Sequence, residues 1–403
     1  MTPLHVLSLS TEFPNPLEPG KGLFVRSRLE ALASRTRMLV VAPVASLDYA
    51  NPRGQLFAAS RVPQVRAERS LQVVHPRWLY PPYGGWTNAF FLFARLLPAF
   101  ARLRRERAFD VIDAHFAHPE GIAAVLLARL FGLCVMVTIR GSELRYRRQR
   151  SKRLWMSWAL RRADRVIAVS DGLRELAISL GVDPARVKTV PNGIDTTVFF
   201  RRDRTACRAR LGIPRGDRVI LCAGDLAESK GHQRVIATLE ALNARGMYAR
   251  LLIAGGVGRS GRYLETLRKQ VTAARLHGQV TFLGEVTQPV LADLMSAADV
   301  FCLASSTEGW PNVVNEALAC GTPVVATDVG AVRQMIDSDR IGFVVSVEDG
   351  EGLTSALDRA LTRRWDHAAI EARGRARSWD QVAEDVLEQM HAALAERASR
   401  GGP

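Results

Sequence analysis

The sequence predicts an α/β protein built as two doubly wound, parallel-sheet domains of similar size. Three observations carry that expectation. At 403 residues the chain exceeds the size at which one hydrophobic core keeps growing. Short apolar runs alternate with helical patterns over nearly its whole length, the βαβα order of a parallel sheet. The runs are continuously apolar rather than alternating, as expected of strands covered on both faces.

In the first half, strands are expected at 4–10, 38–43, 71–76, 111–115, 134–140 and 165–170, with helices at 22–33, 87–107, 119–131, 151–162 and 171–180. Asp171 opens the last of these helices and Gly181 ends it, a cap-to-cap signal. A short strand at 187–191 leads to the turn Asn192-Gly193-Ile194-Asp195. The stretch 199–217 is charged and reads as irregular, and the domain boundary is placed there, giving domains 1–198 and 199–377. The second series has strands at 219–224, 250–255, 280–284, 300–305, 324–328 and 342–346, each followed by a helical pattern. Helices at 352–362, 367–376 and 381–397 close the chain. Two such domains facing each other make a cleft.

Composition narrows the function classes. With 47% apolar and 24% charged residues, wholesale disorder is excluded. The five cysteines (134, 207, 222, 302 and 320) are scattered, with no C-x-x-C pair, and read as small core hydrophobes of a reducing compartment. No leader with a charged start and an apolar stretch is visible, and the apolar run 89–100 is broken by Arg95 and Pro98. A cytoplasmic protein is expected. The net charge of +15 is concentrated at 102–107 and 145–162. The second cluster interleaves Arg145, Arg147, Arg148, Arg150, Lys152, Arg153, Arg161 and Arg162 with Tyr146, Trp155 and Trp158. That mixture suits a peripheral seat on an anionic membrane surface, here the inner face of the cell membrane. It also suits nucleic-acid phosphates, or a plain solvated face.

The candidate site centres on residues 300–325, VFCLASSTEGWPNVVNEALACGTPVV. This reads as strand, tight loop, short helix, strand. Pro311 suits the first helical position, and Gly321 the residue just past the helix end. The amides of Asn312, Val313 and Val314 then lack intrahelical acceptors and favour an anion. Glu308 and Glu316 flank that seat, and ionised carboxylates accept from polyol hydroxyls. Phosphate in the middle with polyols on both sides describes a nucleotide sugar. The acids also sit at the carboxyl end of a buried strand, where open α/β sheets bind ligands.

Other stretches point to the same rim. In LCAGDLAESKGH, Lys230 follows the second domain's first strand and is placed to meet a diphosphate as a point charge. PNPLEPGKGLF follows the chain's first strand, with Gly20 and Gly22 letting amides approach phosphate or acceptor. His115 and His118 in AHFAHPEG, and Arg140 in VTIRGSEL, end strands of the first domain. Ordinary rim residues are the simplest account of them; offsetting leaving-group charge is a functional one for Arg140. The formal G-x-G-x-x-G at Gly256–Gly261 follows the second strand of its domain rather than the first, against a dinucleotide fingerprint. Asp337-Ser338-Asp339 reads as a turn, and no metal is assigned.

The Glu308-x7-Glu316 motif followed by ALACGTPVVAT resembles the retaining glycosyltransferases of family 4, which have the GT-B fold. The resemblance extends through GKGLFVRSRLEAL, ADRVIAVSDGLRE, VPNGIDTTVF and SWDQVAE, and its overall look is closest to the teichuronic acid and capsular or exopolysaccharide branch. It implies that Glu308 approaches the donor sugar and Glu316 the ribose hydroxyls. Lys230 and the amides near Gly309 and Asn312 to Val314 hold the diphosphate. It also implies a last helix, from about 378, packing back on the first domain. A UDP- or GDP-linked sugar is the expected donor and a lipid-linked or polysaccharide molecule the acceptor, with no cofactor and no nucleic acid. Asp225 stands where the family usually has a phosphate-binding Arg, and Arg140 where it often has His. Lys230, Glu308 and Arg140 are the expected catalytic residues, with His115 and His118 on the acceptor side. Alternatives are a nucleotide-sugar epimerase of the same fold, a basic nucleic-acid-binding protein, and a dehydrogenase using Gly256 to Gly261.

Overall fold

The computed structural model describes residues 3–46, 61–81, 84–257 and 261–400. The chain divides into two compact units, Met1–Gly193 with Trp379–Pro403, and Ile194–Ser378.

The first unit contains β1 (His5–Leu9), β2 (Arg37–Val41), β3 (Val44–Ala45), β4 (Val65–Glu68), β5 (Leu71–Val74), β6 (Arg77–Trp78), β7 (Val111–His115), β8 (Cys134–Ile139), β9 (Arg165–Ala168) and β10 (Val187–Thr189). Eight of these form one sheet in the order β10-β9-β8-β7-β1-β2-β5-β4, and β3 pairs with β6. Every neighbouring pair in the large sheet is parallel except β4 and β5. β7 and β8 are buried at every position, which is why they read as unbroken apolar runs. Edge strand β4 was not visible in the sequence: Val-Arg-Ala-Glu carries charge at every second position and leaves Val65 exposed.

Between helix Leu23–Ala33 and this sheet lies a buried ion pair. Arg28 donates to both oxygens of Asp113, at 3.1 Å each, and to Thr138 Oγ1 at 2.7 Å. Helix Trp379–Ser399 also belongs to this unit. Val382, Ala383, Val386, Met390 and Ala393 are buried in one cluster with Val6, Leu32, Val111, Met136 and Ile167. Glu396 of the same helix receives both terminal nitrogens of Arg165.

The second unit holds β11 (Val219–Ala223), β12 (Arg250–Ala254), β13 (Val280–Gly284), β14 (Val300–Leu303), β15 (Val324–Thr327) and β16 (Gly342–Val345). Their order is β13-β12-β11-β14-β15-β16, all parallel. The direction of winding reverses between β11 and β14, so the loops leaving those strands diverge and open a crevice at their carboxyl ends. In the first unit the same reversal falls between β1 and β7.

The stretch 199–217, read as irregular, contains a helix at Arg204–Leu211. Asp203 caps it by accepting from the Ala206 amide, and Gly212 ends it at φ 64°. Its arginines obscured the pattern because Arg208 is buried rather than solvated, donating to the carbonyls of Ala297, Arg215 and Asp217 and to Asp299. All five cysteines are buried and free.

Candidate functional site

Lys230 and Glu308 leave the two strands that flank the second unit's reversal point. The Lys230 loop is a single 3-10 turn, Glu228–Lys230, following β11. Gly231 ends it at φ 73°, and a Cβ there would lie 1.8 Å from the Ala304 carbonyl oxygen, so glycine is required by close approach. The Ser306 amide donates to the Ser229 carbonyl at 2.8 Å, and Arg234 donates to the Ala304 carbonyl at 2.9 Å. These bonds strap the lysine loop to the loop after β14. Lys230 Nζ then donates to Glu308 Oε1 at 2.7 Å, and Ser305 Oγ donates to the same oxygen at 2.8 Å. The Lys230 side chain keeps 31% of its surface exposed and Glu308 11%, so the pair faces the crevice with the cation outermost.

Gly309 is held from below. Its carbonyl accepts from the Ala331 amide at 3.1 Å, and Gly330 at φ 55° leaves no room for a Cβ beneath Glu308. The following helix is Asn312–Ala319, ended by Cys320 and then Gly321 at φ 73°. Two details differ from the sequence expectation. Pro311 is the N-cap rather than the first helical residue, with ψ 93°. Its carbonyl accepts from the Val314 amide at 3.0 Å, so that amide is engaged within the helix start and the three-amide anion seat is reduced. Glu316, just over one turn into this helix, is half-buried, and burial pushes its carboxyl up to about 7.

The first unit places its expected residues differently. His115 ends β7 fully buried, with Nε2 3.2 Å from Ser8 Oγ and 3.3 Å from Asp113 Oδ2. Arg140 donates to His115 Nδ1 at 3.0 Å and to Asn192 Oδ1 at 3.1 Å, with its guanidinium 5.2 Å from the centre of the Phe24 ring. Burial lowers the His115 imidazole to about 4, so it is neutral and accepts at Nδ1. Burial alone would raise the Asp113 carboxyl; Arg28 and then His115 override it and hold it well below the usual range. Arg140 is thus a buried structural cation rather than an open one, and burial followed by repulsion from Arg28 pulls it down from its usual value. Gly22 is at φ 62° with its Cα against the Glu12 carbonyl, 2.3 Å from where a Cβ would stand, so packing demands glycine there.

His118 is 5% exposed, and burial followed by Lys152 lowers its imidazole to about 4. Two acids missed in the sequence complete this region. Glu143 is fully buried and accepts from the amides of Ala117, Arg140 and Gly141, fixing the exits of β7 and β8. Glu120 is 1% exposed and accepts from the Thr11 amide and hydroxyl, joining the exits of β1 and β7. Both acids stood inside quoted motifs, AHPEG and RGSEL, but their burial leaves no mark in sequence spacing.

The remaining candidates carry less. Asp337 and Asp339 pair with Arg373 and Arg363, as a surface turn would. Among the described residues no group of three His, Cys, Asp or Glu side chains converges as for a metal ion. Residues 258–260 of the Gly256–Gly261 loop lie outside the described residues. On helix Arg150–Arg162, Trp155 stacks on Trp86 at 5.9 Å and meets Phe90 edge-on, while Leu154 is 64% exposed among the arginines.

Comparison with known proteins decides the family. Residues 203–377 match the model for glycosyl transferases group 1, and residues 27–198 that for glycosyltransferase family 4. A D-inositol 3-phosphate glycosyltransferase of Pseudarthrobacter chlorophenolicus is 32% identical over 302 residues, covering 71% of each chain. The chain belongs to the family 4 glycosyltransferases. The Mycobacterium tuberculosis protein of the same description is 33% identical over 252 residues, 60% of this glycosyltransferase and 52% of the mycobacterial chain, about half of that relative's length. Among solved structures, sucrose-phosphate synthase from Thermosynechococcus elongatus aligns with TM-score 0.80 at 22% identity, over 98% of this chain and 100% of its own. Anabaena HepE in complex with UDP-glucose aligns with TM-score 0.73 at 20% identity, over 96% and 100%. At those identities the likeness establishes the fold. These curated relatives are described by an inositol phosphate, in place of the teichuronic acid branch that the sequence resembled.

Proposed function

We propose that this glycosyltransferase moves a hexose from a UDP-linked donor, with retention of anomeric configuration, to a hydroxyl of a phosphate-bearing acceptor used in building cell-surface glycans. One observation carries the reading: Lys230 and Glu308, from loops on either side of the β11–β14 reversal, are locked together at the crevice mouth. HepE, of the same fold, is described with UDP and with UDP-glucose, which supports UDP over GDP. The D-inositol 3-phosphate named for the relatives supports a phosphorylated acceptor, and a lipid-linked or polysaccharide phosphate has the same chemistry.

In this reading the Lys230 ammonium neutralises the diphosphate as it departs, a preorganised electrostatic effect worth about 10²–10³ in turnover. Glu308, oriented by Ser305 and Lys230, accepts from hydroxyls of the donor sugar, and Glu316 from those of the ribose. Gly309 and the amides of Asn312 and Val313 lie beside the phosphates. No carboxylate is assigned as a nucleophile, so the acceptor attacks from the face the diphosphate leaves, within an ion pair. Arg140 acts as a positioning residue through His115 and Asn192. The exposed Leu154 with its neighbouring arginines supports peripheral attachment to anionic lipid.

The test is release of nucleoside diphosphate from UDP-glucose, UDP-galactose and GDP-mannose, with product anomers assigned by NMR. The expected outcome is turnover of a UDP sugar that falls about 10²-fold or more in Lys230→Ala. Wild-type turnover in that variant contradicts the reading.

A further inference from the structure

The second unit has a cavity of about 330 Å³ at the end of its sheet away from Lys230 and Glu308. Those two residues follow β11 and β14. The cavity is lined instead by residues that precede strands, Ala298 before β14 and Gly321 and Thr322 before β15. Another wall is Arg201, Arg202 and Arg204, from the charged run that opens the stretch 199–217. The donor reading uses none of these side chains. A run of arginines ordinarily solvates, but this one is anchored. The Arg202 amide donates to Ser296 Oγ at 3.3 Å. Its guanidinium donates to Asp293 at 2.6 Å and to the carbonyls of Pro289 and Val198 at 2.8 and 2.9 Å. The Arg201 amide donates to Glu371 at 3.3 Å, and its side chain crosses Gly321, where a Cβ would lie 2.9 Å from Arg201 Cδ. His367 Nδ1 donates to the Gly321 carbonyl at 2.8 Å.

Every carboxylate that meets an arginine of this wall also serves a second arginine beyond it. Asp293 takes Arg202 and Arg210, Asp299 takes Arg204 and Arg208, and Glu371 takes Arg201 and Arg375. No arginine of the cavity therefore has a carboxylate to itself. Arg201 has the weakest share: its Nε stands 3.6 Å from Glu371, beyond a hydrogen bond, and 49% of its side chain is exposed. Arg204 keeps 38% exposed. Asp203 and Asp366, the acids next to the wall along the chain, are turned to backbone. Asp203 accepts from the Ala206 amide, and Asp366 from those of Ala368 and Ala369. With both counted, positive charge is still in surplus. The helix Asn312–Ala319 ends on this cavity, and its last carbonyls are closed. Ala317 accepts from the Thr322 amide at 3.0 Å and Leu318 from the Gly321 amide at 2.8 Å, so they do not oppose an anion.

We propose that this cavity binds a phosphate dianion, free or as the monoester of a small polyol, with Arg201 and Arg204 as its cationic contacts. Guanidinium groups meet phosphate oxygens in pairs, and each of these two has only part of a carboxylate to give up. The lining carries no Phe, Tyr or Trp for a nucleobase to stack on, which sets this ligand apart from a nucleotide. Lys230, Glu308 and Glu316 take no part in it.

The experiment is calorimetric titration of the full chain with inorganic phosphate and with glycerol 3-phosphate, at an ionic strength held constant with sodium chloride and with glycerol as the uncharged control. Phosphate also suits Lys230, so the titrations are made on Lys230→Ala as well. Wild type should bind phosphate saturably, and Lys230→Ala should keep a saturable site. Arg201→Gln and Arg204→Gln, each placed in the Lys230→Ala chain, should weaken that site about tenfold, the size of one charge-assisted contact. Arg201→Lys should weaken it less than Arg201→Gln. Tighter binding of glycerol 3-phosphate than of phosphate names a monoester as the ligand, and equal affinity names phosphate itself; both support the site. Absence of saturable binding in Lys230→Ala overturns the inference. So does undiminished affinity in Arg201→Gln. Arg204 also holds Asp299, so melting temperature is read beside each titration; Arg201, half exposed, is the variant that decides.

Discussion

At the scale of single residues, the decisive contacts are those in which a charged group is buried or half-buried for a reason other than stability. Glu316 is the clearest. Its carboxyl is raised from an ordinary 4.5 to about 7 by burial, so the folded protein binds a proton there that the unfolded chain has released. Stability from this group therefore falls as pH rises between about 4.5 and about 7 and is flat above. Glu316→Gln removes the penalty. Melting temperature should rise relative to wild type by a few degrees as pH is taken from 5 to 8, with the gain levelling near 7. A difference that does not change with pH contradicts the assignment. The buried Arg28–Asp113 pair shows the opposite case. Truncating Arg28 to Ala leaves an uncompensated carboxylate among Thr138, His115 and Ser8, and should cost about 3–5 kcal/mol in denaturant unfolding. A loss below about 1 kcal/mol means that Asp113 finds another partner.

At the scale of elements, the positions of β11 and β14 do most of the functional placement. Each strand alone delivers one side chain to the rim; their adjacency at the reversal brings lysine and carboxylate within hydrogen-bond reach. That both residues lie on one rim was readable in advance; that their strands are neighbours was not. Strands that are apolar throughout are easily seen, and a residue just past the carboxyl end of such a strand lies on the binding edge of a parallel sheet. The helix at Arg204–Leu211 and strand β4 were not readable, because arginines that bond inward look like solvated ones and an edge strand alternates with charge. The Glu120–Thr11 contact escaped for a related reason. Glu120 and Thr11 are 109 positions apart, and their meeting depends on β1 and β7 being neighbours. The Val314 amide was expected to be free, but a proline one step outside the helix turned its carbonyl onto it.

At the scale of the whole molecule, each of the two sheets reverses its winding once, between β1 and β7 and between β11 and β14. The chain ties its end to the first unit through helix Trp379–Ser399, which fills a core otherwise open along β8 and β9. Ending the chain at Ser378 removes five buried side chains from that core, including Val386 and Met390. The truncated protein should lose the cooperative unfolding transition of the first unit and expose apolar surface to a fluorescent probe. Retention of two cooperative transitions would show that the helix is dispensable for folding. The site in the second unit does not depend on this helix, so the central claim has its own test. That test is calorimetric titration of UDP into wild type, Lys230→Ala and Glu316→Gln. The account predicts binding by wild type and a loss of about tenfold or more in affinity in each variant; equal affinity in all three, or no binding of UDP by wild type, contradicts it.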